Sequence, residues 1–596
     1  MTPEFAQTAW SRLLIGSLAR CGIRHAVVSP GSRSTPLVAA LLDEKSIELH
    51  VAIDERSAGF IGIGLARGTS RPTLLICTSG TAAANYFPAI VEANLAGVPL
   101  LVLTADRPLE VQHSSAPQTM DQNQLYGTHV RRFVDLGEGP MTVRSLRGFR
   151  RLLLDAVQVA SGPHPGPVHI NARARQPLEP ASPADAQDRD LDQRVDTLLE
   201  EPCLLVIPSE SAPNLGRLEP IAAACTGTRR GLVLCGFDAR ADGLDPESLA
   251  LLAQATGYPV WLDPSHPLRW RHPPSLAAHV VHCADLLWSL DDFVLDHRPQ
   301  VIIQVGPCMT SGHMNHWLRN VGAECHVVLS REGWPDPTGR SNYLALGNPS
   351  LVLKNLAEAV SAMRGGLLGE RPWFLDWRAL DARAEQLLDD WIGQQQSPSL
   401  GELSAIRWVL DACPASTLLV LGNSLPLREA ATVCPAGNRE LEVFANRGAN
   451  GIDGILSTGV GLALARSIPT LVLLGDISFL HDIGSLWAAR SVKSPFVVVV
   501  VDNRGGRVFE QLPVRDSVAE DKLNVWTTPH QLDLWAAGLL YGIETIRPEG
   551  ASALAQAVSQ GLRRAGPTLI HVVTDPSSAR LDADSLRVFL EANLFV

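Results

Sequence analysis

What this chain lacks narrows its function first. Its ten cysteines (Cys21, Cys77, Cys203, Cys225, Cys235, Cys283, Cys308, Cys325, Cys413 and Cys434) include no CxxC pair, so neither a zinc ribbon nor a disulfide framework is expected. Scattered free thiols in a large chain fit a reducing, cytoplasmic location. No basic block interrupts a formal net charge of −12, from 50 Lys and Arg against 62 Asp and Glu, so nucleic acid and anionic membrane surfaces are poor partners. No apolar run reaches ~18 residues, so no membrane span is expected. The opening MTPEFAQTAWSRLL has neither the basic start nor the apolar run of a signal peptide.

What is present is a long run of α/β pattern. At 596 residues, 46% hydrophobic and 19% charged, the chain is too long for one core, and several well-buried domains are expected. Short apolar runs alternate with helical patterns, the signature of doubly wound parallel sheets. In the first 180 residues the strands are His25–Val28, Ile47–Ile53, Thr73–Cys77, Pro99–Thr104 and, last, Pro167–Ile170. Arg175 to Asp190, rich in Pro, Ala and Asp and without apolar periodicity, reads as a linker. A central domain over 196–365 follows, with strands Leu204–Ile207, Gly231–Cys235, Pro259–Leu262, Val301–Val305 and His326–Leu329 and a closing helix Leu351–Ala362. Its strand ends hold few clustered charges, and Arg269-Trp270-Arg271, which could bind an anion, reads rather as solvated surface. Gly365–Gly369 marks a second link. The third domain, 372–596, opens with a helix (Trp373–Gln395) and has strands Leu418–Leu421, Glu442–Ala445, Leu471–Leu474, Phe496–Val501 and Thr568–Val573. Domains one and three are alike in loading their strand ends with Ser, Gly, Asn, Asp and Arg.

Three sets of residues at those strand ends can carry chemistry. The first is Asp476 and Asn503, at the ends of two strands joined by a helix-length segment. A β-α-β unit puts both ends on one sheet edge, where ligands bind. A carboxylate, an amide oxygen and backbone carbonyls suit Mg²⁺, and the glycines let backbone approach a diphosphate. Singly, each residue could be a helix cap or a turn residue. The second is Glu55, which opens a helix with a small-residue face, Ser57, Ala58, Gly59, Gly62, Gly64 and Ala66. By itself it could be a first-turn acid stabilised by the helix dipole. The third is cationic: Arg33 beside Ser32, Arg107, Arg428 and Arg447. One such arginine is ordinarily a surface salt-bridge partner. Four at ligand-facing ends suit a substrate with several carboxylates, and Gln118 could add a hydrogen bond.

The spacing of Gly475-Asp476-Ile477 and Asp502-Asn503 resembles the thiamine-diphosphate motif, Gly-Asp-Gly followed by Asn-Asn, with Ile477 and Asp502 as departures. Further stretches narrow the resemblance: SPGSRSTPL (Ser29–Leu37), DERSAGF (Asp54–Phe60), TSGTAAANYFPA (Thr78–Ala89), TADRP (Thr104–Pro108), GNSLPLR (Gly422–Arg428), NRGANGIDG (Asn446–Gly454) and NRGGRVFEQLP (Asn503–Pro513). As a set they resemble the 2-succinyl-5-enolpyruvyl-6-hydroxy-3-cyclohexene-1-carboxylate synthases. The matches cover domains one and three; the middle domain matches more weakly.

That resemblance implies three doubly wound α/β domains: a pyrimidine-binding domain, 1–180, the central domain, and a diphosphate- and metal-binding domain, 372–596. It implies a transferase using thiamine diphosphate and Mg²⁺ (or Mn²⁺), without flavin. The reaction is decarboxylation of 2-oxoglutarate and 1,4-addition to isochorismate, in menaquinone or phylloquinone biosynthesis. Glu55 carries over as the catalytic partner of the cofactor's N1′. Asp476, Asn503 and the carbonyl of Gly505 carry over as metal ligands. Ser424, Leu425, Ile452, Gly475, Ser478, Val508 and Phe509 carry over to the cofactor, Ile452 as the wedge beneath it, although it also fits an ordinary core position. Ser32, Arg33, Arg107, Gln118, Ser424, Arg428 and Arg447 carry over to the substrates, with His313 of the Thr310–His313 loop as the middle domain's contribution. The resemblance also implies a homodimer, or a homotetramer built from it, with Glu55 meeting the metal site across the dimer interface. The other readings are a different thiamine-diphosphate decarboxylase or acetolactate-type synthase, and a non-catalytic scaffold.

Overall fold

The computed structural model describes residues 2–137, 143–204, 206–207, 213–237, 243–307, 310–364, 372–395, 400–433, 437 and 439–595. Three six-stranded sheets follow one another along the chain. The first holds β1 (His25–Val28), β2 (Glu48–Val51), β3 (Thr73–Cys77), β4 (Leu100–Asp106), β5 (Arg132–Asp135) and β6 (Pro167–Arg173). The second holds β7 (Gly231–Cys235), β8 (Val260–Leu262), β9 (Val280–Val281), β10 (Val301–Val305), β11 (Cys325–Ser330) and β12 (Tyr343–Leu346). The third holds β13 (Leu418–Leu421), β14 (Glu442–Phe444), β15 (Thr470–Gly475), β16 (Pro495–Asp502), β17 (Glu544–Ile546) and β18 (Gly566–Val573). Strand pairs in all three are parallel. Continuous runs such as Leu471–Leu474 and Phe496–Val501 are buried throughout, as strands covered on both faces must be.

Seven of the helices packed around these sheets bear on the fold and the site. They are α1 (Pro3–Arg20), α2 (Glu55–Thr69), α3 (Ala186–Glu200), α4 (Pro372–Gln394), α5 (Glu402–Ala412), α6 (Ile455–Arg466) and α7 (Asp476–Asp482). The decisive contact is α2 against α6. Here the small-residue face of α2 finds its use. A Cβ at Gly64 would lie 2.1 Å from the Thr458 carbonyl, and one at Gly461 would lie 2.1 Å from that of Ile61, so only glycine lets the two backbones come this close. Around the crossing, Ile61, Leu65, Leu456 and Leu462 join β3 and β4 of the first sheet to β15 and β16 of the third in one apolar core. Truncating one of these to alanine costs about 2–5 kcal/mol.

Four expectations are corrected. The stretch read as linker is helical from Ala186 onward: α3 packs on α1, and its Asp188 is buried, accepting the Thr2 amide at 2.9 Å. Its apolar residues Leu191, Val195 and Leu198 fall one helical turn apart, but the polar remainder hides the pattern. Leu204, Val206 and Ile207 lie exposed outside any strand, and Leu205 lies outside the described residues. The short edge strands β5, β9, β12 and β17 escape the sequence reading. Arg269 and Trp270 are buried, not solvated: the Arg269 guanidinium donates to the carbonyls of Leu262 and His282, both at 2.8 Å, at the ends of β8 and β9. Gly365–Gly369 lies outside the described residues.

Candidate functional site

The register of β15 with β16 sets Gly475 opposite Val501, so the residues that follow, Asp476 and Asp502-Asn503, share one edge. Asp476 opens α7. Its carboxylate accepts the Ile477 amide at 2.7 Å and the Gly505 amide at 2.7 Å. Gly505 has φ +138°, and a Cβ there would come 2.4 Å from the Thr527 carbonyl, so the turn that delivers its amide requires glycine. Burial and the neighbouring Asp502 carboxylate push Asp476 up to about 6. Asn503 donates from Nδ2 to both oxygens of Glu402 on α5, at 3.2 and 2.9 Å. Its Oδ1 is buried without a hydrogen-bond partner among the described residues. A buried amide oxygen with no donor asks for a ligand. Beside the Asp476 carboxylate it makes an oxygen set that fits Mg²⁺. The Gly505 carbonyl is nearby and accepts the Arg507 amide at 2.9 Å.

Both departures from the motif have local explanations. Asp502, where the motif has Asn, accepts from His571 at 2.8 Å and from the Arg504 amide at 3.0 Å. Burial works against its charge, but these donors outweigh it and hold the carboxyl below the usual range. Ile477 needs only to offer its amide to Asp476. Two residues the motif does not contain join the site. His530 Nε2 lies 3.0 Å from Asp476 Oδ2 and 4.0 Å from Asp502 Oδ1. Glu402 is fully buried and, by burial first, is held at about 7; it contacts a second buried acid, Glu429, which burial and then Glu402 push well above the usual range. Out of water and beside a like group, Glu429 is disfavoured in its charged form. No sequence signal marks either contact, because 101 residues separate Glu402 from Asn503 and 54 separate His530 from Asp476.

Around the ligands, Asn423 donates to the Asn446 and Gly451 carbonyls at 2.7 and 2.6 Å and so ties the end of β13 to the loop after β14. Ser424, with φ +75°, follows directly, and Leu425 starts the next helix, buried. Ser478 Oγ donates to the Ile452 carbonyl, fixing Ile452 over the start of α7. Val508 and Phe509 are half-buried in a short turn of helix after Gly506.

Glu55 is half-buried at the first turn of α2, and burial, with Asp54 beside it, raises its carboxyl above the ordinary value. This turn faces the third domain: the Arg56 guanidinium donates to the His481 carbonyl, and Ser485 Oγ donates to Ser57 Oγ at 3.1 Å. Ser485 Oγ also lies 2.8 Å from an oxygen of the buried Asp482, which accepts the Ser457 amide of α6 at 2.7 Å. A polar chain thus runs through the apolar contact and fixes how α2 sits on α6. Glu92, absent from the motifs, adds a second tie, accepting the Gly448 and Ala449 amides at 2.8 and 2.6 Å. The Glu55 turn and the third-domain loops therefore meet within this single chain, where the resemblance implied a meeting across two.

The arginines form two like-charged pairs. Arg33 is buried, donates to the Ala174 carbonyl at 2.8 Å, and is lowered by burial and then by Arg107. Arg428 donates to the Ser424 carbonyl at 2.9 Å and is lowered by burial and then by Arg447, which donates to Asn423 Oδ1 at 3.2 Å. The buried Nε of Arg107 has no hydrogen-bond partner among the described residues. Paired guanidiniums repel each other until a polyanion arrives, which is what a dicarboxylate supplies. Ser32 is exposed just before Arg33, and the Gln118 carbonyl accepts Ser79 Oγ at 2.9 Å beside Gly80. His313 is exposed at the start of helix Gly312–Asn320; among the described residues no recorded hydrogen bond or ion pair joins it to either half of the site. No helix of the described residues is long and apolar enough to cross a membrane.

Comparison with known proteins bears on this geometry. The family model described as the thiamine pyrophosphate enzyme N-terminal TPP binding domain matches residues 9–125, and that of the C-terminal TPP binding domain matches residues 436–572. An X-ray structure of a protein isolated from Mycobacterium smegmatis, described as thiamin diphosphate-dependent, superposes with a TM-score of 0.66 over 94% of this chain and 98% of that one; at 17% identity it speaks for the fold alone. The protein of Sorangium cellulosum (strain So ce56) named 2-succinyl-5-enolpyruvyl-6-hydroxy-3-cyclohexene-1-carboxylate synthase is 37% identical, over 96% of this chain and 93% of its own. Those of the same name from Haloarcula marismortui and Bacillus velezensis are each 34% identical, over 98% and 95% of this chain and 98% and 94% of their own. With the cofactor-domain matches on both sheets that carry the site, and identity at this level along nearly the whole chain, the protein belongs to the 2-succinyl-5-enolpyruvyl-6-hydroxy-3-cyclohexene-1-carboxylate synthase family of thiamine-diphosphate enzymes.

Proposed function

We propose that this chain releases CO₂ from 2-oxoglutarate and adds the remaining four-carbon unit to isochorismate in a 1,4 sense, giving 2-succinyl-5-enolpyruvyl-6-hydroxy-3-cyclohexene-1-carboxylate. The reaction serves menaquinone or phylloquinone biosynthesis, in the cytoplasm. The observation that carries the reading is the α2–α6 contact, which sets the first turn of α2, where Glu55 stands, against the third domain at His481 and Ser485. When bound, thiamine diphosphate supplies the electron sink for both bond changes. Asp476, Asn503 and the Gly505 carbonyl hold the Mg²⁺ (or Mn²⁺) that anchors its diphosphate. Gly475, Ser478, Ser424 and Leu425 border that diphosphate, while Ile452, Val508 and Phe509 wall the apolar side. Glu55 holds a proton at the cofactor's N1′, a task suited to a carboxyl raised by burial. Arg33 and Arg107, with Ser32 and Gln118, take carboxylates from the first domain; Arg428 and Arg447 take them from the third; His313 is the outermost contact. The units 1–180, 196–365 and 372–596 serve as pyrimidine-binding, central, and diphosphate- and metal-binding domains, with α3 attached to the first.

The test is CO₂ release from 2-oxoglutarate with Mg²⁺ and thiamine diphosphate, with and without isochorismate. A product peak that requires both acids is expected. CO₂ from pyruvate, with no isochorismate-dependent product, would overturn the reading in favour of an acetolactate-type or decarboxylase activity.

The active assembly is a homodimer, or a homotetramer of such dimers, in which α2 and α6 exchange partners between chains, so that the Glu55 turn of one chain meets the metal ligands of the other. Exposed apolar side chains, Ile53 beside Glu55 and Trp487 after α7, support such a partner. Mixing Glu55→Gln with Asp476→Asn chains under conditions of subunit exchange tests this. Restoration to about a quarter of wild-type activity is expected, since half the dimers then carry one intact site. A mixture as inactive as its components would place the whole site in one chain.

A further inference from the structure

Away from the strand ends that carry the site, the opposite end of β1 and its edge neighbour β2 bring together two imidazoles and a carboxylate. The parallel register pairs His25 with Glu48 and Val27 with His50. Residues paired across strands share a face, and so do residues two apart, so His25, Glu48 and His50 project to one side. His25 Nδ1 lies 3.2 Å from His50 Nε2 and 3.7 Å from Glu48 Oε2, and His50 Nε2 lies 4.0 Å from Glu48 Oε1. Ligands at 2.0–2.1 Å from a tetrahedral ion are separated by about 3.3–3.5 Å, close to these spacings. Burial lowers both histidines, His50 to about 4. The Glu48 side chain is 62% exposed and free to swing one oxygen inward.

We infer that His25, Glu48 and His50 form a second cation site, for a divalent transition ion of the Zn²⁺ and Co²⁺ class, separate from the Mg²⁺ ligands. Two imidazole nitrogens and one carboxylate are the donor set such ions take, with a solvent molecule in the fourth position. Asp476 and Asn503 offer oxygen alone and favour Mg²⁺. The two sites thus select different metals from the same solution. Bound there, the ion clips edge strand β2 to β1. Because β2 runs on from Val51 to Asp54 and Glu55, the clip steadies the strand that leads to α2.

The test is Co²⁺ titration of the untagged protein saturated with Mg²⁺ and thiamine diphosphate. One equivalent with the visible absorption of a four-coordinate cobalt ion is expected, displaced by Zn²⁺. The band should be lost in His25→Gln and His50→Gln and retained in His316→Gln on the middle domain. Glu48→Gln changes an exposed side chain that the sheet does not need for folding, and it should weaken binding at least about tenfold. No four-coordinate band, or one that survives both His25→Gln and His50→Gln, overturns the site and leaves the pair as a hydrogen-bonded histidine contact.

Discussion

The first and third sheets share one strand order, β2-β1-β3-β4-β6-β5 against β14-β13-β15-β16-β18-β17, while the middle sheet runs β12-β11-β10-β7-β8-β9. The middle order is that of a dinucleotide-binding sheet, with its switch point between β7 and β10. The difference extends to the strand ends. In the middle domain several of the polar groups there bond to the backbone of that domain. Arg269 closes the ends of β8 and β9, and Asp263 accepts the Thr310 amide at 2.6 Å and the Ser265 amide at 2.9 Å. In the first and third domains, Asn503 Oδ1 and Arg107 Nε lack partners among the described residues, and Arg107 and Arg447 disfavour the charge of Arg33 and Arg428. Groups left unsatisfied at a buried edge cost stability, and the fold tolerates them where a ligand will complete them.

The largest effect that could break this contrast is at Glu55. Glu55→Gln keeps shape and removes the proton-holding carboxyl, so turnover should fall about 10²–10⁴-fold with the fold intact, measured as CO₂ release beside circular dichroism. A variant with full turnover would remove the first sheet from the chemistry. Next is Glu402, a positioning residue that acts through Asn503. Glu402→Ala should weaken Mg²⁺ binding about 10–100-fold by calorimetry, and Glu402→Gln, which still accepts from Asn503, should recover most of it. Equal losses in both would mean that charge and not orientation matters there. Arg269→Ala should act on stability alone, lowering it by about 3 kcal/mol in denaturant unfolding because two strand-end carbonyls lose a charged donor, with kcat within about twofold. The smallest effect belongs to His313→Ala: an exposed group screened by solvent should raise KM for either acid by less than about fivefold. A large KM change there would bring the middle sheet into the site.

Much of this arrangement is legible in the sequence because it is written locally. Alternation of strand and helix patterns, buried runs such as Phe496–Val501, and Gly, Asp and Asn at the following turns are properties of a few consecutive residues. The fixed geometry of a β-α-β unit turns the interval between Asp476 and Asn503 into adjacency. The short edge strands were not legible: two residues in β9, and in β12 four of which three are exposed, carry little strand signal. Helix α3 was hidden because its apolar residues are sparse among acids and arginines, and Arg269 looked solvated because nothing local says that strand-end carbonyls await it.

The sequence by itself determined three α/β layers, the open edges of two of them, and the family. Only the tertiary structure decided that Glu402 orients Asn503, that His530 stands against Asp476, that Glu92 holds the loop at Gly448, and that the glycine face of α2 closes on α6. Each of these contacts joins residues more than fifty positions apart, where backbone periodicity no longer relates one side chain to another and close packing alone selects the partner.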